Sequence, residues 1–419
     1  MTRVIPTTAL ALYKRLSTAF LLSLVLTLPH PAVAQTTPPP TLVPTQTLTP
    51  TDAEIGSPAR QIGFGSAIAV EHDTAMISET AYMPNAGRIA LFKKDASGQW
   101  LRDGSIDPDS TPGVYGPAYA FGLGIAFRDD YALIMSTTAN YLYHKVHGQW
   151  TLSDMVTGIC CYNSTAETID PPFVFVTNKV YRIGPHGKMQ LAQTLVADGY
   201  TFDDGLGNEV AESDGTLVIS ETSDNEDRGA LYTFEERHGV WVQTQKIVAN
   251  DGVPSDELGT DISISGDIMV AAAGGKDYDY VNPACNNNPT SGAVYIFKRI
   301  RGVWTQQQEI VNPCLYGFQF NAVAPDWLAI LNPGYAFDGQ QSGALIYRRE
   351  NLPRSSGVKF VPYGSINTDG GAYESGAVLH GSQLFSAQYD QYTIPAGEVN
   401  VYDLPKGHDA ECKDRDEHH

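Results

Sequence analysis

Positive charge is scarce in this chain: 27 Lys and Arg stand against 47 Asp and Glu in 419 residues, a net charge of −20. Phosphate backbones are held by Lys and Arg, so nucleic acids and other polyanions are poor partners for it. Cysteine is scarce too, with five in all, and none has the spacing of a zinc site. Long apolar runs are missing, because the stretch from Ala19 to Leu28 is about half the roughly 20 residues a membrane-spanning helix needs. Local catalytic signatures are missing as well. There is no Gly-x-Ser-x-Gly elbow, no His-Glu-x-x-His and no phosphate-cradling glycine loop. His72, His144, His147, His186, His238 and His380 are scattered, mostly beside turns.

What the chain has is glycine (39), proline (26) and tyrosine (22), with 42% hydrophobic residues. Glycine supplies left-handed turns and tyrosine suits a half-buried pleated surface, so many short strands are expected. Residues 1–34 read as a secretory signal peptide: Arg3, Lys14 and Arg15, then the apolar run, then Ala32-Val33-Ala34 before Gln35. The expected mature product is acidic and secreted or periplasmic. Residues 35–41 form a Thr/Pro-rich linker, and the tail 405–419 reads as disordered.

One unit recurs seven times between residues 42 and 404. It opens on an aromatic or Leu followed by a small or polar residue: Phe64-Gly65, Phe121-Gly122, a degenerate Tyr162-Asn163, Leu206-Gly207, Leu258-Gly259, Tyr316-Gly317 and Tyr373-Glu374. A polar turn follows at His72-Asp73, Asp129-Asp130, Asp214-Gly215, Gly266-Asp267 and Gly381-Ser382. Alternating strands recur as Gly229-Ala230-Leu231-Tyr232-Thr233-Phe234 and Gly292-Ala293-Val294-Tyr295-Ile296-Phe297. A fourth strand opens on Trp100, Trp150, Trp241 or Trp304, with Ile106, Val156, Ile247 or Ile310 six places on. Six is an even step, so both side chains are expected on one face. Period-2 units of this length are the blades of a propeller. The chain is therefore read as all-β, a seven-bladed β-propeller of four-stranded blades. The last unit lacks a fourth strand, and the N-terminal segment Leu42 to Leu48 is expected to supply it and close the ring.

These units resemble FG-GAP repeats, the blades of the integrin α-subunit propeller, with Leu258 to Ile310 the best copy. The resemblance implies extracellular recognition and no reaction. It also implies a calcium site between the first and second strands of a blade, yet the turns here are two residues long and cannot bring six or more oxygens together. No cofactor is called for; the only candidates for an irregular calcium site are Asp224, Asp227, Asp277 and Asp279, between second and third strands.

The 2–3 and 4–1 connections of a propeller emerge on one face, and loops on a rigid scaffold commonly carry function. Candidate ligand-binding residues there are Tyr82, Asp203, Asp204, Asp224, Asp227, Asp277, Tyr278, Asp279, Tyr280, Tyr335, Tyr389 and Tyr392, several of them on the long excursion Ala271 to Ser291. Tyrosines give flat amphipathic contact area, and carboxylates accept bonds from sugar hydroxyls or meet basic peptide groups. Cys285 and Cys314 both emerge on this face and are expected to pair, closing a loop of about 30 residues. Cys160 and Cys161 form a vicinal bridge or one bridge to Cys412. The expected function is a binding or adhesion module for an extracellular protein or glycan; the alternative is a secreted carbohydrate-active enzyme using face carboxylates.

Overall fold

The computed structural model describes residues 40–50, 63–80, 87–108, 121–137, 139–157, 167–198, 206–281, 289–311, 320–332, 343–352, 356–367, 373–390 and 394–406. They form seven four-stranded antiparallel sheets. The N-terminal strand β1 is Gln46–Leu48. Blade 1 is β2 (Phe64–Glu71), β3 (Thr74–Glu79), β4 (Arg88–Lys94) and β5 (Trp100–Ile106). Blade 2 is β6 (Ile125–Arg128), β7 (Tyr131–Met135), β8 (Ala139–Val146) and β9 (Gln149–Thr157). Blade 3 is β10 (Glu167–Asp170), β11 (Phe173–Val176), β12 (Lys179–Ile183) and β13 (Met189–Thr194). Blade 4 is β14 (Val210–Ser213), β15 (Thr216–Glu221), β16 (Ala230–Arg237) and β17 (Val240–Ile247). Blade 5 is β18 (Leu258–Ser265), β19 (Ile268–Val281), β20 (Pro289–Ile300) and β21 (Val303–Val311). Blade 6 is β22 (Phe320–Val323), β23 (Trp327–Asn332), β24 (Gly343–Asn351) and β25 (Val358–Asn367). Blade 7 is β26 (Tyr373–His380), β27 (Gln383–Asp390) and β28 (Ile394–Asp403), and its outer strand is β1, paired antiparallel to β28 with Thr47 opposite Asn400.

The first strands of successive blades touch one another all the way round, from β2 to β26 and back to β2. This is a seven-bladed β-propeller. The turns between first and second strands begin in the left-handed region: His72, Asp129, Asp214, Gly266 and Gly381 have φ between 52° and 58°. Two of the scattered histidines fill a second set of tight turns. His147-Gly148 and His238-Gly239 both have positive φ at each residue, as does Arg301-Gly302, which is the type I′ geometry favoured in two-residue hairpins.

The core is seven layers between blades. Phe64, Trp100, Phe385 and Val401 join blades 7 and 1, and Leu231, Ile247, Tyr295 and Trp304 join blades 4 and 5. The small residue of the opening pair follows from this packing. A Cβ on Gly259 would stand 2.5 Å from Ser220 Cβ of the preceding blade, and Gly259 has φ +102°. Gly229, at the head of β16, returns the contact, bridging to Leu258 with no room for a side chain.

The outer strands correct the expected parity. Trp100 lies in the layer shared with blade 7, whereas Ile106 lies in the layer shared with blade 2. Trp241 and Ile247 separate the same way, as do Trp304 and Ile310. Trp150 packs towards blade 1, and Val156 packs towards blade 3. The cause is a β-bulge in the outer strand. In blade 4, Thr233 pairs with Gln245 but Phe234 pairs with Gln243, leaving Thr244 extra. Blades 1, 2, 3, 5 and 6 carry the same shift. One extra residue turns an even step into a change of face, so each outer strand grips both neighbours. The N-terminal segment follows the rule, with Leu42 packed in the layer between blades 6 and 7 and Leu48 in that between blades 7 and 1.

Candidate functional site

The 2–3 and 4–1 connections are best described at blades 4 and 5. After β15 the chain makes one left-handed turn in which Asn225, Glu226 and Asp227 have φ of 52°, 63° and 60°. The carbonyls of Glu226, Asp227 and Arg228 accept from the N–H groups of Ser255, Glu257 and Leu258 at 3.1, 2.8 and 3.0 Å, so this turn is laced to the connection entering blade 5. Three consecutive non-glycine residues in this region are costly, at about 1–2 kcal/mol each. Asp224 anchors the turn from below. Its side chain is buried, receiving Lys246 Nζ at 2.8 Å and the Tyr232 hydroxyl at 3.1 Å. Asp227 is exposed beside it.

Blade 5 differs from the expected loop. Residues 271–281 do not leave the sheet: β19 continues to Val281 and pairs with β20, with Asp277 opposite Ser291, Tyr278 opposite Thr290 and Val281 opposite Pro289. The excursion is a β-hairpin arm. Its root is held by Lys276, a cation only 5% exposed, whose Nζ sits 2.6 Å from Asp251 Oδ2 and 3.3 Å from Asp256 Oδ2. The Tyr295 hydroxyl donates to Asp251 Oδ1 at 3.0 Å. Burial disfavours the charged forms of Lys276 and Asp251, but their contact outweighs it: the ammonium is held above its usual range and the Asp251 carboxyl below its own. Asp224 and Asp251 thus use one device, a tyrosine hydroxyl and a lysine fixing a loop carboxylate to the blade.

Of the residues named from sequence, Asp224 and Asp227 come together in one turn, and Asp277, Tyr278, Asp279 and Tyr280 follow one another along β19. Tyr389 lies in β27 with its backbone opposite Tyr373. Tyr82, Asp203, Asp204, Tyr335 and Tyr392 lie outside the described residues, as do all five cysteines, including Cys285 and Cys314. Among the described residues no three His, Cys, Asp or Glu side chains gather to hold a metal. Asp251 and Asp256 lie in the 4–1 connection that the sequence places on this face, but their partner Lys276, and Lys246 beside Asp224, escaped the sequence reading, since each ion pair joins different strands or connections of the repeat.

At the opposite end, where the 1–2 turns lie, Arg128 reaches Glu212 Oε2 at 3.1 Å and Asp170 Oδ1 at 3.6 Å, bringing together the inner strands of blades 2, 3 and 4. Burial, with Asp170 adding to it, pushes the Glu212 carboxyl up to about 7 despite Arg128 and the Gly215 N–H.

The FG-GAP repeat family matches residues 241–297, from Trp241 in β17 to Phe297 in β20. One segment of this seven-bladed β-propeller therefore matches the FG-GAP repeat. The match runs from the outer strand of blade 4 into the third strand of blade 5, and so takes in the root of the hairpin arm. Among solved structures, the N-terminal domain of Nup159 superposes with a TM-score of 0.41 at 11% identity, over 87% of this chain and 98% of that one. The periplasmic gluconolactonase PpgL of Pseudomonas aeruginosa superposes with a TM-score of 0.48 at 13% identity, over 81% of this chain and 89% of that one. No curated protein sequence matches.

Proposed function

We propose that this β-propeller is an exported binding module that recognises an extracellular protein or glycan through its 2–3 and 4–1 face. The observation that carries the reading is the hairpin arm of blade 5, which is rooted through the buried Lys276 between Asp251 and Asp256. A strand pair fixed at its base is presented as a rigid element rather than a mobile loop, and rigidity lowers the ordering cost of binding. Asp227 in the neighbouring strained turn, and the Asp277 to Tyr280 segment along the arm, fall on the same face. Non-glycine residues persist in left-handed geometry where surrounding structure over-determines them, a pattern that clusters at ligand-binding segments.

The test is a screen of the protein against arrayed glycans and extracellular proteins, beside a variant in which residues 277–291 are replaced by a two-residue turn. The reading expects saturable binding that the shortened arm weakens. Turnover of a glycan without stable binding would favour the carbohydrate-active alternative instead.

A further inference from the structure

Lining up the inner strands by their pairing exposes one misfit. Ile68, Ile125, Val210 and Ile262 occupy equivalent places, opposite Ile77, Ile134, Ile219 and Ala271. Blade 3 has Glu167 there, opposite Val176. Glu167 is 8% exposed, and neither of its carboxyl oxygens has a hydrogen-bond partner. Ile169, two residues on, belongs to the apolar layer between blades 2 and 3, so Glu167 projects into the head of the same cleft. Gly124 of blade 2 faces it, with Oε1 2.7 Å from where a Cβ would stand. Asn140 of blade 2 shares a face with Leu142 of that layer. It is 3% exposed, and its Oδ1 is also unpartnered.

With Glu167 ionised, three buried acceptor oxygens therefore line the layer between blades 2 and 3, and no orphaned donor among the described side chains joins them. A buried acceptor left unpaired loses its hydration without a replacement, so these oxygens call for a donor. Glu167 is the first residue of β10 and Asn140 the second of β8, so both lie at the end of their blades from which the 2–3 and 4–1 connections leave.

We propose that the head of the cleft between blades 2 and 3 binds a primary ammonium group, with Glu167 as counter-ion and Asn140 Oδ1 as a further acceptor. An ammonium carries three donors and no acceptor, which is the complement of what the cleft offers. A hard divalent cation needs six to eight oxygens, which this pair does not provide. The proposal rests on the binding-module reading and names the chemistry of the group bound: a lysine side chain of a protein, or the free amine of an amino sugar. Burial pushes the Glu167 carboxyl up to about 8 with no neighbouring charge opposing it, so below that pH the bound cation must displace the carboxyl proton into solvent.

Calorimetry of the full chain at pH 6.5, in two buffers of different ionisation enthalpy, tests this with trilysine peptide and glucosamine as separate arms. The expected result is saturable binding in one arm with release of about one proton per site. The Nζ-acetylated peptide and N-acetylglucosamine should not bind. Glu167→Gln should weaken binding roughly tenfold to a hundredfold, the scale of a lost charged hydrogen bond. Glu167→Ile restores the residue type of the neighbouring blades, so it should fold and fail to bind. Equal binding by wild type and Glu167→Ile, no binding in either arm, or calcium binding that Glu167→Gln abolishes would overturn the proposal. An array hit insensitive to Glu167→Ile would leave the binding-module reading standing and this site refuted.

Discussion

Gln46 grips the backbone of Trp100 at both ends: its Nε2 donates to the Trp100 carbonyl at 2.7 Å and its Oε1 accepts from the Trp100 N–H at 2.9 Å. The same amide clamp joins Gln193 to Trp241, Gln245 to Trp304 and Gln308 to Phe360. At each of these seams the outer strand of one blade satisfies the backbone of a residue near the start of the next outer strand. Gln46 makes the clamp from the N-terminal strand, across the junction of blades 7 and 1. Gln46→Ala removes both bonds and orphans two backbone groups, at an expected cost of about 2–3 kcal/mol. Gln46→Glu keeps the acceptor and loses the donor, and should fall between. Thermal melts of the two variants decide it, and wild-type stability for Gln46→Ala would contradict the clamp.

Thr244 is the extra residue of the blade 4 bulge. Deleting it would leave five regular steps between Trp241 and Ile247, an odd number that still places them on opposite faces, and would keep Thr233 opposite Gln245 and Phe234 opposite Gln243. The deletion should therefore preserve cooperative unfolding and cost about 1–3 kcal/mol, through the lost bulge geometry and the hydrogen bonds between Thr244 and Thr233, whereas Thr244→Ala should cost about 1 kcal/mol or less. A deletion variant that loses cooperative unfolding and opens to protease would mean that Thr244 is not simply an extra residue in the outer strand.

Lys276→Met strands the buried Asp256 carboxylate and breaks the root of the arm. Removing one partner of a buried pair costs about 3–5 kcal/mol. Adding Asp256→Asn should recover part of that loss. Amide exchange between residues 277 and 291 should accelerate in Lys276→Met and stay slow in wild type. Slow exchange in both would show that the arm is held by its strand pairing alone.

Two carboxyls titrate near neutrality in the folded chain, Glu167 at about 8 and Glu212 at about 7, both raised first by burial from an ordinary 4.5. Glu71 and Glu79 are raised in the same direction by burial. Each binds its proton more tightly folded than unfolded, so stability falls as pH rises from 4.5 through the folded value and is level above it. Asp251 runs the other way, and its contribution is lost only as pH falls through its lowered folded value. The melting temperature should therefore decline from pH 5 to pH 8, and Glu167→Gln should flatten the decline. A wild-type melting temperature that rises over that interval would contradict these assignments.

Much of the ring was legible from period-2 alternation, paired openings such as Leu258-Gly259 and recurrent tryptophans, because these record packing that every blade repeats. The change of face between Trp241 and Ile247 was not, since a bulge exists only relative to the partner strand, here β16. The segment Ala271 to Ser291 read as a loop because its Gly, Asn and Pro residues are poor strand formers; pairing across the hairpin overrides that preference. Glu167 was visible in principle as the acid beneath Ile125 and above Val210 when the units are aligned. The degenerate opening Tyr162-Asn163 hid that register. The partners of Asp224 and Asp251 were out of reach, because Lys246 and Lys276 meet them only once the blades are folded.

The most direct test of the account is the array screen of the intact chain against glycans and extracellular proteins, run beside the variant whose arm is shortened across residues 277–291. The account predicts at least one saturable partner and a clear loss of affinity in the variant, with melting behaviour otherwise preserved. Partners that bind both proteins equally, or glycan turnover with no stable complex, would contradict it.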